Sequence, residues 1–280
     1  MNEIFTIGDF CFRLVCPEAV PVPENFRKFR GGSDPAYTYT IEISDSFPEP
    51  EGTVAARRED LLVLRRGELE WRYIGVKGSP EPYGCYMECS QREARILLDP
   101  DRLGGMNIDP VFVSLLALER RQTALDSLIL HCAFVEHQGQ AILFSAPSET
   151  GKTTQANLWE RYRGAVTVNG DRALLQRLDG CWHARGWPVC GSSGVCENRD
   201  VPIRAIVILS QAPEDRAARI TPMKAFSGLY SQITVNRWNR AASLRAMELT
   251  EDLAVSVPVY HLACTMEKTA VEALEQALAE

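Results

Sequence analysis

The sequence has no apolar run long enough to cross a bilayer. Its longest apolar stretches, such as residues 111–118, fall far short of the roughly 20 residues that a transmembrane helix needs. The first residues include an acid and have no basic flank ahead of an apolar segment, so we identify no targeting segment. These absences predict a cytoplasmic protein and exclude a membrane from its expected partners.

The chain also lacks an excess of positive charge and the spacing of a zinc site. Its 280 residues carry a net charge of −7 with a pI near 5.3, which argues against nucleic acid as a partner. There is no CxxC pair among the nine cysteines, and Cys85 and Cys89 are not followed by a second Cys or His pair at zinc-site spacing. A disulfide framework is not expected in a chain of this size.

One short segment carries the strongest functional signal. Residues 146–153, Ala-Pro-Ser-Glu-Thr-Gly-Lys-Thr, follow an apolar run and precede a helix-like run, and they match the phosphate-binding loop pattern with Ala in place of the first Gly. In such loops, backbone N–H groups and the helix N-terminus surround a phosphate. The alternative is a helix start that binds no ligand. The predicted nucleotide contacts are Pro147, Ser148, Glu149, Thr150, Gly151, Lys152, Thr153 and Thr154.

Two of these residues have specific expected roles, and an acid follows the next strand. Lys152 would contact the outer phosphates, and the Thr153 hydroxyl would ligate Mg²⁺. Asp171 ends the strand after the loop helix, at the edge where ligands bind in open α/β sheets. There it can ligate Mg²⁺ or accept a proton from an attacking hydroxyl. The alternative is that Asp171 has no role beyond forming the turn Asn169-Gly170-Asp171.

The chain divides by pattern into two parts. Residues 1–108 are β-rich and punctuated by Pro and Gly, and the alternating run Tyr37–Ile43 predicts a strand there. We assign this region to recognition or partner contact. Asp109 caps a helix expected to run from Pro110 to about Ala124. Residues 109–280 alternate strand and helix. Expected there are strands at 128–136, 140–145, 165–168, 172–177, 181–184, 203–209 and 259–264, and helices at 153–162, 222–230 and 268–279.

The motifs of the second part resemble the HPr kinase/phosphorylase family, and more closely the HPr-kinase-like proteins found with peptide-modification clusters. The resemblance covers residues 128–178 well and 186–209 weakly, and does not reach the first hundred residues. It is carried by the strand around His131, by the loop, and by Gly170-Asp171-Arg172, which is similar to the family's Asp-Asp-Arg turn with the first Asp replaced.

The resemblance implies an α/β fold: a P-loop nucleotide-binding domain of the HPr kinase/carboxykinase type with a mixed sheet, preceded by the smaller β-rich region. It also implies that Asp171 is the general base, that Lys152 stabilises the transferring phosphoryl group, and that His131 lies beside the γ-phosphate or Asp171. Relatives form hexamers, so a homo-oligomer is implied as well. Gly170 departs from the family, and although Asn169 before it can ligate a metal, it cannot act as a base. The family's segment for binding the protein HPr is not found, so HPr is a poor candidate substrate.

We therefore expect ATP- and Mg²⁺-dependent phosphoryl transfer to a hydroxyl of a peptide or small metabolite. Two alternatives stay open: a non-catalytic ATP-binding regulatory or assembly protein, and a decarboxylating enzyme like phosphoenolpyruvate carboxykinase. ATP and GTP are not distinguished. Arg204 is a candidate substrate clamp. Residues 186–196 form a second glycine-rich loop that closes over the site or shapes the substrate pocket; the alternative is a surface connection between the hairpin and the next strand. Trp238 either stacks on an adenine or packs a helix.

Overall fold

The computed structural model describes residues 1–79 and 81–279, and the chain divides into two compact units. The first unit comprises Met1–Arg121 together with Arg237–Asn239. The second comprises Gln122–Asn236 and the chain from Arg240 onward. The first unit therefore extends past the residue 108 expected from the sequence, because Arg120 and Arg121 form ion pairs inside it.

The first unit is built on an eight-stranded sheet in the order β1-β2-β3-β8-β7-β6-β5-β4. The β2–β3 and β3–β8 pairs are parallel, and the other neighbours are antiparallel. Its strands are β1 (Asn2–Ile7), β2 (Phe10–Val15), β3 (Tyr37–Ile43), β4 (Thr53–Arg58), β5 (Leu61–Arg66), β6 (Leu69–Ile74), β7 (Gly84–Ser90) and β8 (Glu93–Leu98), and its helices are α1 (Glu24–Arg27), α2 (Asp109–Leu115), α3 (Leu118–Ala124) and a 3₁₀ helix at Pro100–Asn107.

The helix predicted over 110–124 is two helices, because α2 and α3 are separated at residues 116–117. Ala117 has a positive φ of 49°, which breaks the helix. Residues 115–118 are all fully buried, and a straight helix with one apolar stripe cannot bury four consecutive side chains. The predicted cap is also wrong: Ile108 is the N-cap residue, and Asp109 instead accepts a hydrogen bond from Asn25 at 2.8 Å.

A buried charge cluster lies on one face of the first unit's sheet. Glu88, 2% exposed, accepts hydrogen bonds from Arg120 Nε at 2.5 Å, from the Glu70 backbone N–H at 2.8 Å, and from Arg121. Burial alone would raise the pKa of Glu88, but the hydrogen bond from Arg120 and the charges of Arg121 and Arg120 more than offset it, so the pKa is lowered.

Glu88→Gln is expected to lower the free energy of unfolding by about 3–5 kcal/mol, because it leaves the largely buried Arg121 without its carboxylate and Arg120 with only the longer pair to Glu70 at 3.2 Å. Since the folded-state pKa of Glu88 is lowered, its stabilisation is present above the unfolded carboxyl pKa of about 4.3 and is lost as pH falls through the folded value. Urea unfolding from neutral to acid pH measures both effects. Glu93→Gln, at an exposed position of β8, is the control, and an equal loss in the two variants would contradict the account.

The second unit is an α/β fold with a mixed sheet, as expected from the sequence. Two long strands, β9 and β14, each pair with several others: β9 with β10, β11 and β12, and β14 with β10, β13 and β16. The strands are β9 (Leu128–His137), β10 (Gln140–Ser145), β11 (Val166–Asn169), β12 (Arg172–Leu178), β13 (Cys181–Arg185), β14 (Asp200–Gln211), β15 (Arg216–Arg219) and β16 (Val259–Cys264), and the helices are α4 (Lys152–Arg163), α5 (Pro222–Tyr230), α6 (Arg240–Ser256), α7 (Lys268–Ala279) and a 3₁₀ turn at Gly191–Ser193.

Helices cover both faces of this sheet. Alternate residues of β9 point to opposite sides, so that Phe134 packs with α5 and α6 while Val135 packs with α4 and α7. The central parallel pair β10–β14 is therefore buried on both faces. Among the described residues, no helix combines the length and apolar content that crossing a bilayer requires.

Candidate active site

The segment 146–151 connects β10 to α4, as the sequence predicts. Gly151 is the helix N-cap with φ 113°, and Glu149 also has a positive φ of 65°. A residue with a Cβ is strained at the φ of Gly151, so glycine is needed for the chain to enter the helix this way. Two residues of the loop, Glu149 and Gly151, therefore have positive φ angles before α4 begins.

The backbone N–H groups of this loop are unused. Within the described part of the chain, the backbone N–H groups from Ser148 to Thr154 have no protein acceptor, and the first amide bonded in this helix is that of Gln155, which donates to Gly151 O at 3.0 Å. Unpaired amides at a helix N-terminus carry the positive end of the helix dipole. The loop is therefore a site of concentrated positive potential with donors available to an anion.

Lys152 folds back over the same loop. Its Nζ donates to the carbonyl oxygens of Ala146 at 2.9 Å and Pro147 at 3.1 Å, and the residue is 8% exposed. Burial lowers the pKa of Lys152, and the negative charge of Asp171 acts in the opposite direction. A buried ammonium held by two neutral carbonyls gains from an anionic partner, because charge-assisted hydrogen bonds are the stronger ones.

Asp171 lies in the turn between β11 and β12, among three anchoring contacts. Its backbone carbonyl accepts from the Cys132 N–H at 3.0 Å. Its carboxylate accepts from Arg172 Nε at 3.0 Å on Oδ2, and His131 Nε2 lies 3.5 Å from Oδ1. Burial alone would raise the pKa of Asp171, but the His131 hydrogen bond and the Arg172 charge outweigh it, and the pKa is lowered. The carboxylate is ionised at neutral pH and can accept a proton or contact a cation.

His131 is held on its other side by a segment that the sequence did not indicate. Its Nδ1 lies 3.3 Å from Gln232 Oε1, and its backbone N–H donates to Gln232 O at 3.0 Å. Ser145, the last residue of β10, donates to the His131 carbonyl at 2.9 Å. The imidazole therefore lies between Gln232 and Asp171 and fixes the direction of the carboxylate.

Asn169 organises the turn that carries Asp171. It is fully buried, and its Nδ2 donates to the carbonyls of Trp187 at 2.8 Å and Val189 at 3.0 Å. Its Oδ1 accepts the backbone N–H groups of Asp171 at 2.8 Å and Arg172 at 2.9 Å. With these bonds made, Asn169 is a positioning residue, so the metal-ligand role considered from the sequence has no support in this geometry.

Asn169→Ala is expected to lower the free energy of unfolding by about 3 kcal/mol, because buried carbonyl and N–H groups lose their partners. Denaturant unfolding of the full chain measures the loss. The matched control is Asn157→Ala on the exposed side of α4, where only a small change is expected. A cost at position 169 no larger than at position 157 would remove Asn169 from this role.

The second glycine-rich loop packs against the Asp171 turn. A Cβ on Gly170 would lie 2.0 Å from Ser193 Oγ, and a Cβ on Gly191 would lie 3.0–3.1 Å from the Asp171 side chain. Ser193 in turn donates to Cys190 O at 2.7 Å and accepts from the Val195 N–H at 3.1 Å. Of the two interpretations offered for residues 186–196, this favours the one in which the loop shapes the site, and Ser193 explains why position 170 has no side chain.

Arg204 and Trp238, two further ligand contacts considered from the sequence, lie outside this site. Arg204 follows Ile203, which pairs with Ala141 at the start of β10, the strand end opposite the loop. Its charge acts there on His137 and Glu275, so Arg204 does not line this site. Trp238 belongs to the first unit, where its indole N–H donates to Glu70 at 3.2 Å.

The remaining predicted nucleotide contacts lie in the loop and in the first turn of α4. Thr153 is exposed and Thr154 is half-buried in the first turn of α4, while Pro147 and Ser148 are exposed in the loop. Among the residues that the structure describes, no group of three or more His, Cys, Asp or Glu side chains is arranged to hold a metal ion.

The comparisons with known proteins agree with the sequence motifs. The family described as SynChlorMet cassette protein ScmC matches residues 105–279. Among solved structures, the Hpr(Ser) kinase/phosphatase from Coxiella burnetii is similar at 12% identity, covering 54% of this chain and 88% of that chain with a TM-score of 0.33, a level that assigns no residue role. No curated protein matches the chain. The family match confirms the resemblance to proteins of peptide-modification clusters. The matched segment spans more than half of the sequence, and the chain belongs to the family of SynChlorMet cassette protein ScmC.

Proposed function

We propose that the second unit binds ATP at residues 146–154 and transfers its γ-phosphoryl group to a hydroxyl of a peptide or small metabolite. In this proposal the unit is a P-loop nucleotide-binding domain of the HPr kinase/carboxykinase type. The observation that carries it is the run of backbone N–H groups from Ser148 to Thr154 without protein acceptors, beside the buried Lys152 ammonium. Donors left unpaired beside a buried cation are explained by a polyanion such as a triphosphate.

The charge arrangement supports phosphoryl transfer as well as binding. Lys152 would exchange its two carbonyl contacts for phosphate oxygens and neutralise charge on the transferring group, which is the main catalytic contribution in such reactions. Asp171, ionised and aimed by His131 and Arg172, would accept the acceptor's proton. The acceptor oxygen forms a bond to the γ-phosphorus, the bond from that phosphorus to the ADP oxygen breaks, and the hydroxyl proton goes to the Asp171 carboxylate.

The residues present fit a magnesium ion. Mg²⁺ is held in nucleotide sites by one or two protein groups together with phosphate oxygens and water. Thr153, exposed at the helix start, and the Asp171 carboxylate are oxygen ligands of this kind. When bound, the ion would supply charge neutralisation of the phosphates.

A second candidate function is nucleotide binding without transfer, in a regulatory or assembly role. It is favoured by position 170, where glycine replaces the family's first acid and Ser193 fills the space of a side chain. The turn therefore offers one carboxylate, that of Asp171, where the family has two. No observation on the described residues favours the decarboxylating alternative.

Incubation of the full chain with ATP labelled at the γ-phosphate and a panel of peptides and small hydroxyl compounds separates the two functions. Transfer of label to at least one acceptor, lost in Asp171→Asn, is the expected result. ATP binding without label transfer to any acceptor of a broad panel would support the non-catalytic function instead. Absence of ATP binding would contradict both.

A further inference from the structure

One face of the first unit's sheet contains a cavity of about 580 Å³. Its apolar lining comes from neighbouring strands, where Trp71 of β6 pairs with Met87 of β7 and Met87 pairs with Arg95 of β8. Leu97, two residues beyond Arg95, continues the same face. The volume and the mostly apolar lining with a few polar groups are those of small-ligand sites, which measure about 300–1,000 Å³.

The polar groups of the cavity give it a preference for an anion. The guanidinium of Arg66 lies 4.4 Å from the centroid of the Trp71 ring. Its pair with Glu51, at 3.3 Å, joins two side chains that are 42% and 69% exposed, and exposed pairs of this kind exchange readily. Glu88 is also among the lining residues, but its carboxylate is bound by Arg120 and Arg121.

Arg95 shows that this surface presents guanidinium groups to carboxylates. It makes two hydrogen bonds to Glu42, at 2.7 Å and 2.6 Å, in the parallel geometry that matches a carboxylate. Arg66 makes a single ion pair, longer than those of Arg95, so its guanidinium can donate hydrogen bonds to the carboxylate of a ligand instead. Its position over Trp71 places that charge directly beside apolar and aromatic surface.

We infer that this cavity binds an apolar acid, in which an aromatic or branched apolar group carries a carboxylate. The apolar group lies against Trp71, Met87 and Leu97, and the carboxylate replaces Glu51 at Arg66. The carboxyl terminus of a peptide and a free carboxylic acid share this chemistry. The inference is independent of nucleotide binding, because every residue that it uses belongs to the first unit.

Calorimetric titration of the full chain with N-acetyl-L-phenylalanine, its uncharged amide, and a short peptide ending in phenylalanine tests the inference. The acid is expected to bind saturably below about 10 mM, and the amide at least about tenfold more weakly. Arg66→Ala is expected to weaken the acid by about tenfold, whereas Arg58→Ala, at another exposed arginine of the same sheet, leaves it unchanged. Tighter binding of the peptide than of the free acid would identify a peptide terminus as the source, and the reverse a small metabolite.

Cysteine alkylation gives an independent readout. Cys89 is exposed and lines the cavity, while Cys181 is exposed in the second unit. Bound N-acetyl-L-phenylalanine should slow maleimide labelling of Cys89 and leave Cys181 unchanged. Absence of saturable binding of both carboxylates, binding indifferent to Arg66→Ala, or unprotected Cys89 at saturation would overturn the inference, whether or not the protein binds ATP.

Discussion

Asp171→Asn is expected to reduce phosphoryl transfer by about 10²–10⁴-fold, the range that a positioned general base supplies. The substitution keeps the shape of the side chain and its ability to accept from Arg172, but removes the charge and the capacity to take a proton. Because the loop amides and Lys152 are untouched, the dissociation constant for ATP measured without Mg²⁺ should change little. Initial rates of label transfer and calorimetry of ATP binding measure the two quantities separately.

The matched control is Asp179→Asn, in the exposed turn between β12 and β13, where φ is 48° and Asn is well tolerated. Its transfer rate should equal that of the unmodified chain. Undiminished transfer in Asp171→Asn would show that the proton goes elsewhere and would remove Asp171 from the mechanism, even if ATP still bound.

Lys152→Met is expected to slow transfer by about 10²–10³-fold, as removal of one preorganised donor to developing charge does. Methionine retains most of the apolar stem, so the packing of this 8% exposed side chain is largely kept while the ammonium is lost. The Ala146 and Pro147 carbonyls lose their donor but remain next to the exposed part of the loop. Label transfer at saturating ATP measures the effect.

Lys224→Met, at an exposed position of α5, is the control for loss of one positive charge. A similar loss in both variants would show that the effect follows net charge and not the loop. Normal transfer in a folded Lys152→Met chain would contradict the role assigned to the ammonium.

The strands and helices of the second unit could largely be predicted, because each has its own local signal. The expected bounds for 140–145, 222–230, 259–264 and 268–279 are those of β10, α5, β16 and α7. Helix α6 was not predicted. Its buried residues, which have helical spacing, are Ala246, Leu249, Thr250, Leu253 and Ala254. Apolar residues on the exposed side of the same helix, Leu244, Met247 and Val255, blur that pattern in the sequence.

In the first unit, the alternation of Tyr37–Ile43 predicted β3. Strand β4 could not be found in this way, because its residues are half-buried or exposed and give no alternating pattern. The break between α2 and α3 was hidden for the opposite reason, since a run of apolar residues suits a continuous helix until its neighbours bury every side.

For the candidate site, the sequence supplied the loop and Asp171, because both follow strands in a recognisable order. It also supplied His131, which the resemblance placed beside the γ-phosphate or Asp171; its Nε2 lies 3.5 Å from Asp171 Oδ1. Gln232 could not be predicted, since it is 101 residues from the histidine it contacts. The four hydrogen bonds of Asn169, two of which go to the second glycine-rich loop, could not be predicted either.

The central claim is that the amides and the ammonium of residues 146–154 bind a phosphate chain. Calorimetric titration of the full chain with ATP, GTP, ADP and adenosine, each with Mg²⁺, tests it most directly. The account predicts saturable heat with ATP and with ADP, none with adenosine, and none in a folded Gly151→Val chain, where a side chain is incompatible with a φ of 113°. Absence of heat with both ATP and GTP, or equal affinity for ATP and adenosine, would contradict it.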